Sequence, residues 1–158
     1  VYYAIFHSQV TYGNLLWSMT TNRNINCINL LQKKSIRIIN NSAYNSHTSE
    51  LFKSNKVLKI TDLIKLEQVN LAFNYNRNLL PDELKTIFNS NLNKHNTRNM
   101  SQGGLLVPRI NSLSYGNRSV RYSVPNAWNE FIKHNRQENI KNIHHLKSIF
   151  KKNTLNSY

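Results

Sequence analysis

Seven carboxylates, six histidines and one cysteine are the side chains of this 158-residue sequence suited to hydrolytic, group-transfer or metal chemistry. Their spacing argues against each. A two-metal polymerase or nuclease centre needs at least two converging carboxylates to hold its ions, and here the acids are scattered. Asp82-Glu83 falls in the first turn of an expected helix, where the positive end of the helix dipole accounts for it without catalysis. His7, His47, His95, His134, His144 and His145 show no H-E-x-x-H spacing, and His144-His145 put one imidazole on any given helix face. Cys27 lacks a second cysteine as a metal partner, and no glycine-rich loop with a following lysine provides a P-loop. The expectation is a chain with no catalytic residue, no metal site and no cofactor of its own.

The cations point elsewhere. Twenty-one Lys and Arg against 7 Asp and Glu leave a net charge of +14. No acid precedes Glu50, and none lies between Glu83 and Glu130, where Lys85, Lys94, Arg98, Arg109, Arg118 and Arg121 fall. Such a surface attracts polyanions, with strongly salt-dependent affinity. Lys33, Lys34 and Arg37 lie within about 100° of arc on a helix. They are suited to touching phosphates without reading sequence. Arg98, Arg109, Arg118 and Arg121, interleaved with Tyr115 and Tyr122, suit single-stranded RNA held by charge and stacking. The candidate nucleic-acid-binding set is therefore Lys33, Lys34, Arg37, Arg98, Arg109, Arg118 and Arg121.

The elements that must position these residues are mostly helical. Tyr3, Phe6, Val10, Gly13 and Trp17 follow helical spacing beside Tyr2, Ile5, Gln9, Tyr12 and Leu16, a wide face that predicts a well-buried first helix. Thr21 or Asn22 caps a helix over 25–39 whose Ile25, Ile28, Leu31, Ile38 and Ile39 form the expected core stripe, opposite the cations. A polar loop over 40–49 precedes a short helix over 49–55. A third long helix starts at Thr61-Asp62 and stops before Leu79-Leu80-Pro81, and Pro81-Asp82-Glu83 opens a short helix reaching Phe88.

Beyond Phe88 the character changes. Residues 89–104 read as a polar loop or linker. Residues 105–110 and 119–124 look strand-like and are expected to pair as a small hairpin, with Pro108 confining the first to an edge. A helical turn follows from Pro125, then a last amphipathic helix over 140–150. Trp17, Trp128 and Phe150 read as core anchors. The fold class is mainly α: a small helical bundle over 1–88, the linker over 89–104, and a basic segment over 105–158 with a minor β-hairpin and C-terminal helices. One cysteine excludes an internal disulfide framework and suits a reducing compartment. The charge-free first 22 residues carry His7, Ser8, Gln9, Thr11, Tyr12, Gly13 and Asn14, so a buried helix is expected there and no membrane partner. Val1 in place of Met suggests a piece of a longer protein.

A family resemblance runs along nearly the whole chain. Its words, in order, are Tyr2-Tyr3-Ala4-Ile5-Phe6-His7-Ser8 with Tyr12-Gly13 and Trp17; Leu31-Gln32-Lys33-Lys34-Ser35-Ile36-Arg37-Ile38-Ile39; His47-Thr48; Leu51-Phe52-Lys53; and Leu58-Lys59-Ile60 with Asp62-Leu63 and Lys65-Leu66. Asn78-Leu79-Leu80-Pro81, Asn96-Thr97-Arg98, Val107-Pro108-Arg109, Gly116, Ser119-Val120-Arg121-Tyr122, Pro125-Asn126-Ala127-Trp128-Asn129 and Leu146-Lys147 through Phe150-Lys151-Lys152 follow. Together they resemble the carboxyl-terminal region of reverse transcriptases from non-LTR retrotransposons of the jockey and RTE kinds. Asn111-Ser112 replace a threonine of that pattern, and Ser123-Val124 stand where it has a glycine before Pro125.

The resemblance implies a thumb and post-thumb segment of an RNA-directed DNA polymerase. Its partners would be the RNA template, the RNA–DNA hybrid or DNA primer, and palm and fingers domains of the same polyprotein. The paired aspartates and their magnesium would belong to that palm. The implied location is intracellular, in the nucleus and cytoplasm as an element ribonucleoprotein. A stand-alone basic RNA-binding or interaction module, or a degenerate transposon relic without activity, are the alternatives.

Overall fold

The computed structural model describes residues 1–88, 103–112, 115–135, 138 and 140–158. The chain is mainly α, a small helical bundle. Among the described residues the helices are α1 (Ser8–Thr11), α2 (Asn14–Trp17), α3 (Asn22–Ile39), α4 (Ser49–Ser54), α5 (Ile60–Asn76), α6 (Asp82–Lys85), α7 (Val120–His134) and α8 (Ile143–Asn156). A π-helical turn, Tyr3–His7, precedes α1. The contacts divide the chain into two units, Val1–Leu66 with His144–Tyr158, and Glu67–Ile143. Helix α5 gives its first residues to one unit and the rest to the other.

In the first unit Tyr2, Ile36, Phe52 and Val57 form a core on which Phe6, Leu51 and Tyr158 pack. The single long first helix expected over 2–17 is interrupted. Tyr12 is extended (ψ 117°) and Gly13 adopts a left-handed φ of +63°, which only a residue without Cβ takes at no cost. The broad apolar face expected to be buried is instead largely in solvent, with Ile5 67 %, Tyr12 86 % and Leu16 70 % exposed. Tyr2 is the residue of that face that enters the core.

Helix α3 begins at Thr21, as its capping propensity suggests, although the Thr21 side chain makes no capping hydrogen bond. Its inward line is not the aliphatic one. Gln32 and Ile36 are buried, with Ile25, Ile28 and Asn29 half-buried on the same side, while Leu31, Ile38 and Ile39 are 55 %, 78 % and 40 % exposed. The reason is a polar clasp. Gln32 Nε2 donates to Tyr2 Oη (2.7 Å) and to the Leu58 carbonyl (2.9 Å), and Gln32 Oε1 accepts from the Ile60 amide (2.9 Å). A fully bonded amide is tolerated in a core, and this one ties the first turn, α3 and the start of α5 together.

A second clasp closes the same unit. Tyr158 Oη accepts from the Lys59 amide at 2.8 Å and donates to Asp62 Oδ2, so a side chain from far along the sequence caps the N-terminus of α5. Lys59 Nζ lies 3.9 Å from the centre of the Tyr158 ring. Burial, reinforced by the bond to Asp62, pushes the Tyr158 hydroxyl well above its usual value; burial raises Tyr2 likewise. For a group raised in the folded state, stability is fully present below the unfolded value near pH 10 and falls as pH rises beyond it. Urea midpoints are therefore expected to fall on going from about pH 9 to about pH 11. Tyr158→Phe should flatten that slope, and an unchanged slope would show that the hydroxyl does not carry the effect.

The second unit buries Val69, Ala72, Phe73, Phe88, Val124, Trp128 and Phe131. Helix α5 ends where expected, with Asn78 in the left-handed region (φ +61°) ahead of Pro81. Trp128 packs at 6.5 Å from Phe73 and 6.0 Å from Phe131, and its Nε1 donates to the Gly103 carbonyl at 2.9 Å. Asn129 brackets the Leu105 backbone, donating from Nδ2 to its carbonyl (2.7 Å) and accepting its amide on Oδ1 (2.8 Å).

The expected β-hairpin is absent among the described residues. Residues 104–110 are neither strand nor helix, and 120–124 are the first turns of α7. Val124, Trp128 and Phe131 stand at i, i+4 and i+7, so burying one helical face draws Val120 to Val124 into the helix, through Pro125. The last helix runs over Ile143–Asn156, further toward the C-terminus than the expected 140–150. Gly116 packs so close to Ile110 that an added Cβ would lie 2.8 Å from Ile110 Cβ.

Candidate nucleic-acid interface

Helix α3 carries Lys33, Lys34 and Arg37 in the first unit, and its actual orientation changes their settings. At 100° per residue Lys33 stands about 100° and Arg37 about 140° from Gln32, at the margins of the buried side, while Lys34 stands about 160° away at the centre of the outer side. Lys33 and Arg37 are accordingly half-buried and Lys34 exposed. Long cationic side chains at such margins lay their methylenes on apolar surface and hold their charge in water. Arg37 is also structurally engaged, since its Nε donates to the Ser46 carbonyl at 3.0 Å and holds the 40–48 loop. Lys34 shares the outer side with Leu30, Leu31 and Ile38.

The other candidates belong to the second unit. Arg109 is exposed in the irregular 104–110 segment. Arg118 is half-buried at the end of the 3-10 turn Gly116–Arg118. Arg121 is exposed in the first turn of α7, a position that the helix dipole disfavours for a cation. Its Nε donates to the Ile87 carbonyl at 3.2 Å, which offsets that cost. Because 120–124 are helical, Arg121 and Tyr122 do not alternate across a strand. Tyr115 is 80 % exposed near Arg118 in sequence. Arg98 lies outside the described residues.

Sequence reasoning missed a meeting of two lysine-bearing segments in the first unit. Tyr3 Oη donates to the Lys56 carbonyl (3.2 Å) and accepts from Lys151 Nζ (3.5 Å), whose ammonium lies 5.9 Å from the centre of the Tyr3 ring. This brings the 53–59 segment and α8 to one place. Lys53 and Lys56 come from the first, Lys147 and Lys151 from the second, the latter pair one helical turn apart. No pattern within either segment could reveal a meeting between residues 148 positions apart.

Among the described residues no group of three or more His, Cys, Asp or Glu is placed to hold a metal ion, and no helix is long and apolar enough to cross a membrane. Asp82 is held below the usual carboxylate range by the hydrogen bond and charge of Lys85, at 2.7 Å. Comparison with family models, with curated proteins and with solved structures gives no match.

Proposed function

We propose that this chain is the nucleic-acid-gripping part of a mobile-element reverse transcriptase, holding the backbone of a template–primer duplex. The carrying observation is the charge of the first 49 residues, in which Arg23, Lys33, Lys34 and Arg37 all ride on one helix and no carboxylate occurs. A helix anchored by Gln32 and Ile36 presents these cations from a fixed support, and fixed cations bind phosphates without reading bases. The ordered family-like words from Tyr2 to Lys152 support the polymerase assignment. Polymerisation itself would fall to a palm region carrying paired aspartates and magnesium, so the role of these residues is to hold the substrate.

The test is Lys33→Glu combined with Lys34→Glu, which spares the Arg37–Ser46 bond and so leaves the loop in place. Affinity for an RNA–DNA hybrid, followed by fluorescence anisotropy, is expected to fall at least ~10-fold at moderate salt. The slope of log affinity against log salt should shrink by about 2, with helicity by circular dichroism unchanged. Equal affinity of parent and variant would sink the proposal.

A further inference from the structure

We infer that Tyr3, with the Lys151 ammonium beside it, forms a separate contact for single-stranded nucleic acid, with the Tyr3 ring as a base-stacking platform. The inference rests on the proposed function for the class of ligand, but on different residues. Three observations carry it. Tyr3 is 52 % exposed although its hydroxyl is tied at both ends, to the Lys56 carbonyl and to Lys151 Nζ. Its ring is braced from within by the edge of Tyr2 at 5.4 Å and by His7 at 5.1 Å. An aromatic residue held in orientation and about half exposed is an arrangement on which an unpaired base can stack, and stacking accepts any base.

The two segments that meet at Tyr3 carry the sign of charge a nucleic-acid backbone requires. Segment 50–62 contributes Lys53, Lys56 and Lys59 with Glu50 and Asp62, and α8 onward contributes Lys147, Lys151 and Lys152 with no acid, six lysines against two carboxylates. Asp62 is engaged by the Tyr158 hydroxyl, and Lys59 lies over the Tyr158 ring. Lys151, whose ammonium lies 3.5 Å from the Tyr3 hydroxyl and 5.9 Å from the ring centre, is the cation placed to draw a phosphate past the platform. A duplex cannot use the site, because its bases are already stacked on one another; a single strand can. Lys56 itself sits at a left-handed backbone position (φ +52°), which turns the chain so that its carbonyl meets Tyr3.

The experiment uses the full chain and two probes of about twelve nucleotides, oligouridylate and oligodeoxyuridylate, alongside the RNA–DNA hybrid. Tyr3→Leu is expected to weaken single-strand binding about 10-fold or more while leaving hybrid affinity unchanged. Tyr3→Phe, which keeps the ring and loses both hydroxyl ties, should retain most of the affinity. Loss with both oligonucleotides assigns the site to single strands in general, and loss with one assigns it to that sugar. Unchanged single-strand binding in Tyr3→Leu overturns the inference, as does an equal loss in Tyr3→Phe, which would mark Tyr3 as a structural residue only. The Lys33→Glu/Lys34→Glu variant separates this inference from the duplex proposal, since it should lower hybrid binding and leave the effect of Tyr3→Leu on single strands in place.

Discussion

Gln32→Leu is expected to destabilise the chain by about 3 kcal/mol or more, the largest effect of any polar substitution in the first unit. The leucine nearly matches the glutamine in volume, so no cavity explains the loss. What remains is the Tyr2 hydroxyl, the Leu58 carbonyl and the Ile60 amide, each deprived of its Gln32 partner in a site with no access to water. A buried group left without a hydrogen bond costs about 1–3 kcal/mol. The Ile60 amide is the most exacting of the three, because it lies in the first turn of α5, where the helix itself supplies no acceptor. Urea titration checks this as a lowered midpoint at constant m. Adding Tyr2→Phe to Gln32→Leu should recover part of the loss by removing one orphaned hydroxyl. A shift below about 1 kcal/mol for Gln32→Leu alone would show that the clasp is not a unit.

Trp128→Ala should cost about 4 kcal/mol through the second unit. The indole is 6 % exposed, packs against Phe73 and Phe131, and bonds the Gly103 carbonyl through Nε1. Alanine removes all of these and leaves a large cavity. Trp128→Phe keeps most of the apolar contact and forfeits the bond to Gly103, for an expected loss of about 1–2 kcal/mol. The ratio of the two, read from urea midpoints, separates packing from the hydrogen bond. Equal losses would mean that the Gly103 contact, and not burial, is what Trp128 supplies.

The helices were legible in proportion to how closely hydropathy tracked burial. Helix α5 is the clearest case, since Leu63, Ile64, Leu66, Val69 and Phe73 are apolar and buried, with Asn70 the polar residue buried among them. Helix α3 was located but turned the wrong way. Leu31, Ile38 and Ile39 outrank Gln32 on any transfer scale, yet Gln32 is the residue inside, because three hydrogen-bond partners from other segments meet its amide. The turn shifted the cations as well, so Lys34, and not Lys33 or Arg37, stands at the centre of the outer face. In α7 the run Val120-Arg121-Tyr122-Ser123-Val124 is too short to tell strand from helix by period, and Pro125 marked a helix start that the structure places five residues earlier. The wide apolar face of the first helical segment promised burial, and one left-handed glycine broke it.

By itself the sequence determined the helical class and the large positive charge with its two acid-free stretches. These are properties of composition and local period, which do not depend on where the chain goes next. Only the tertiary structure decided which side of α3 is inward, that Tyr158 caps α5 through Lys59 and Asp62, and that Lys151 meets Tyr3. Each of those outcomes is a hydrogen bond or charge contact between distant segments. Its free energy exists only once the intervening chain has folded, so no window of sequence contains it.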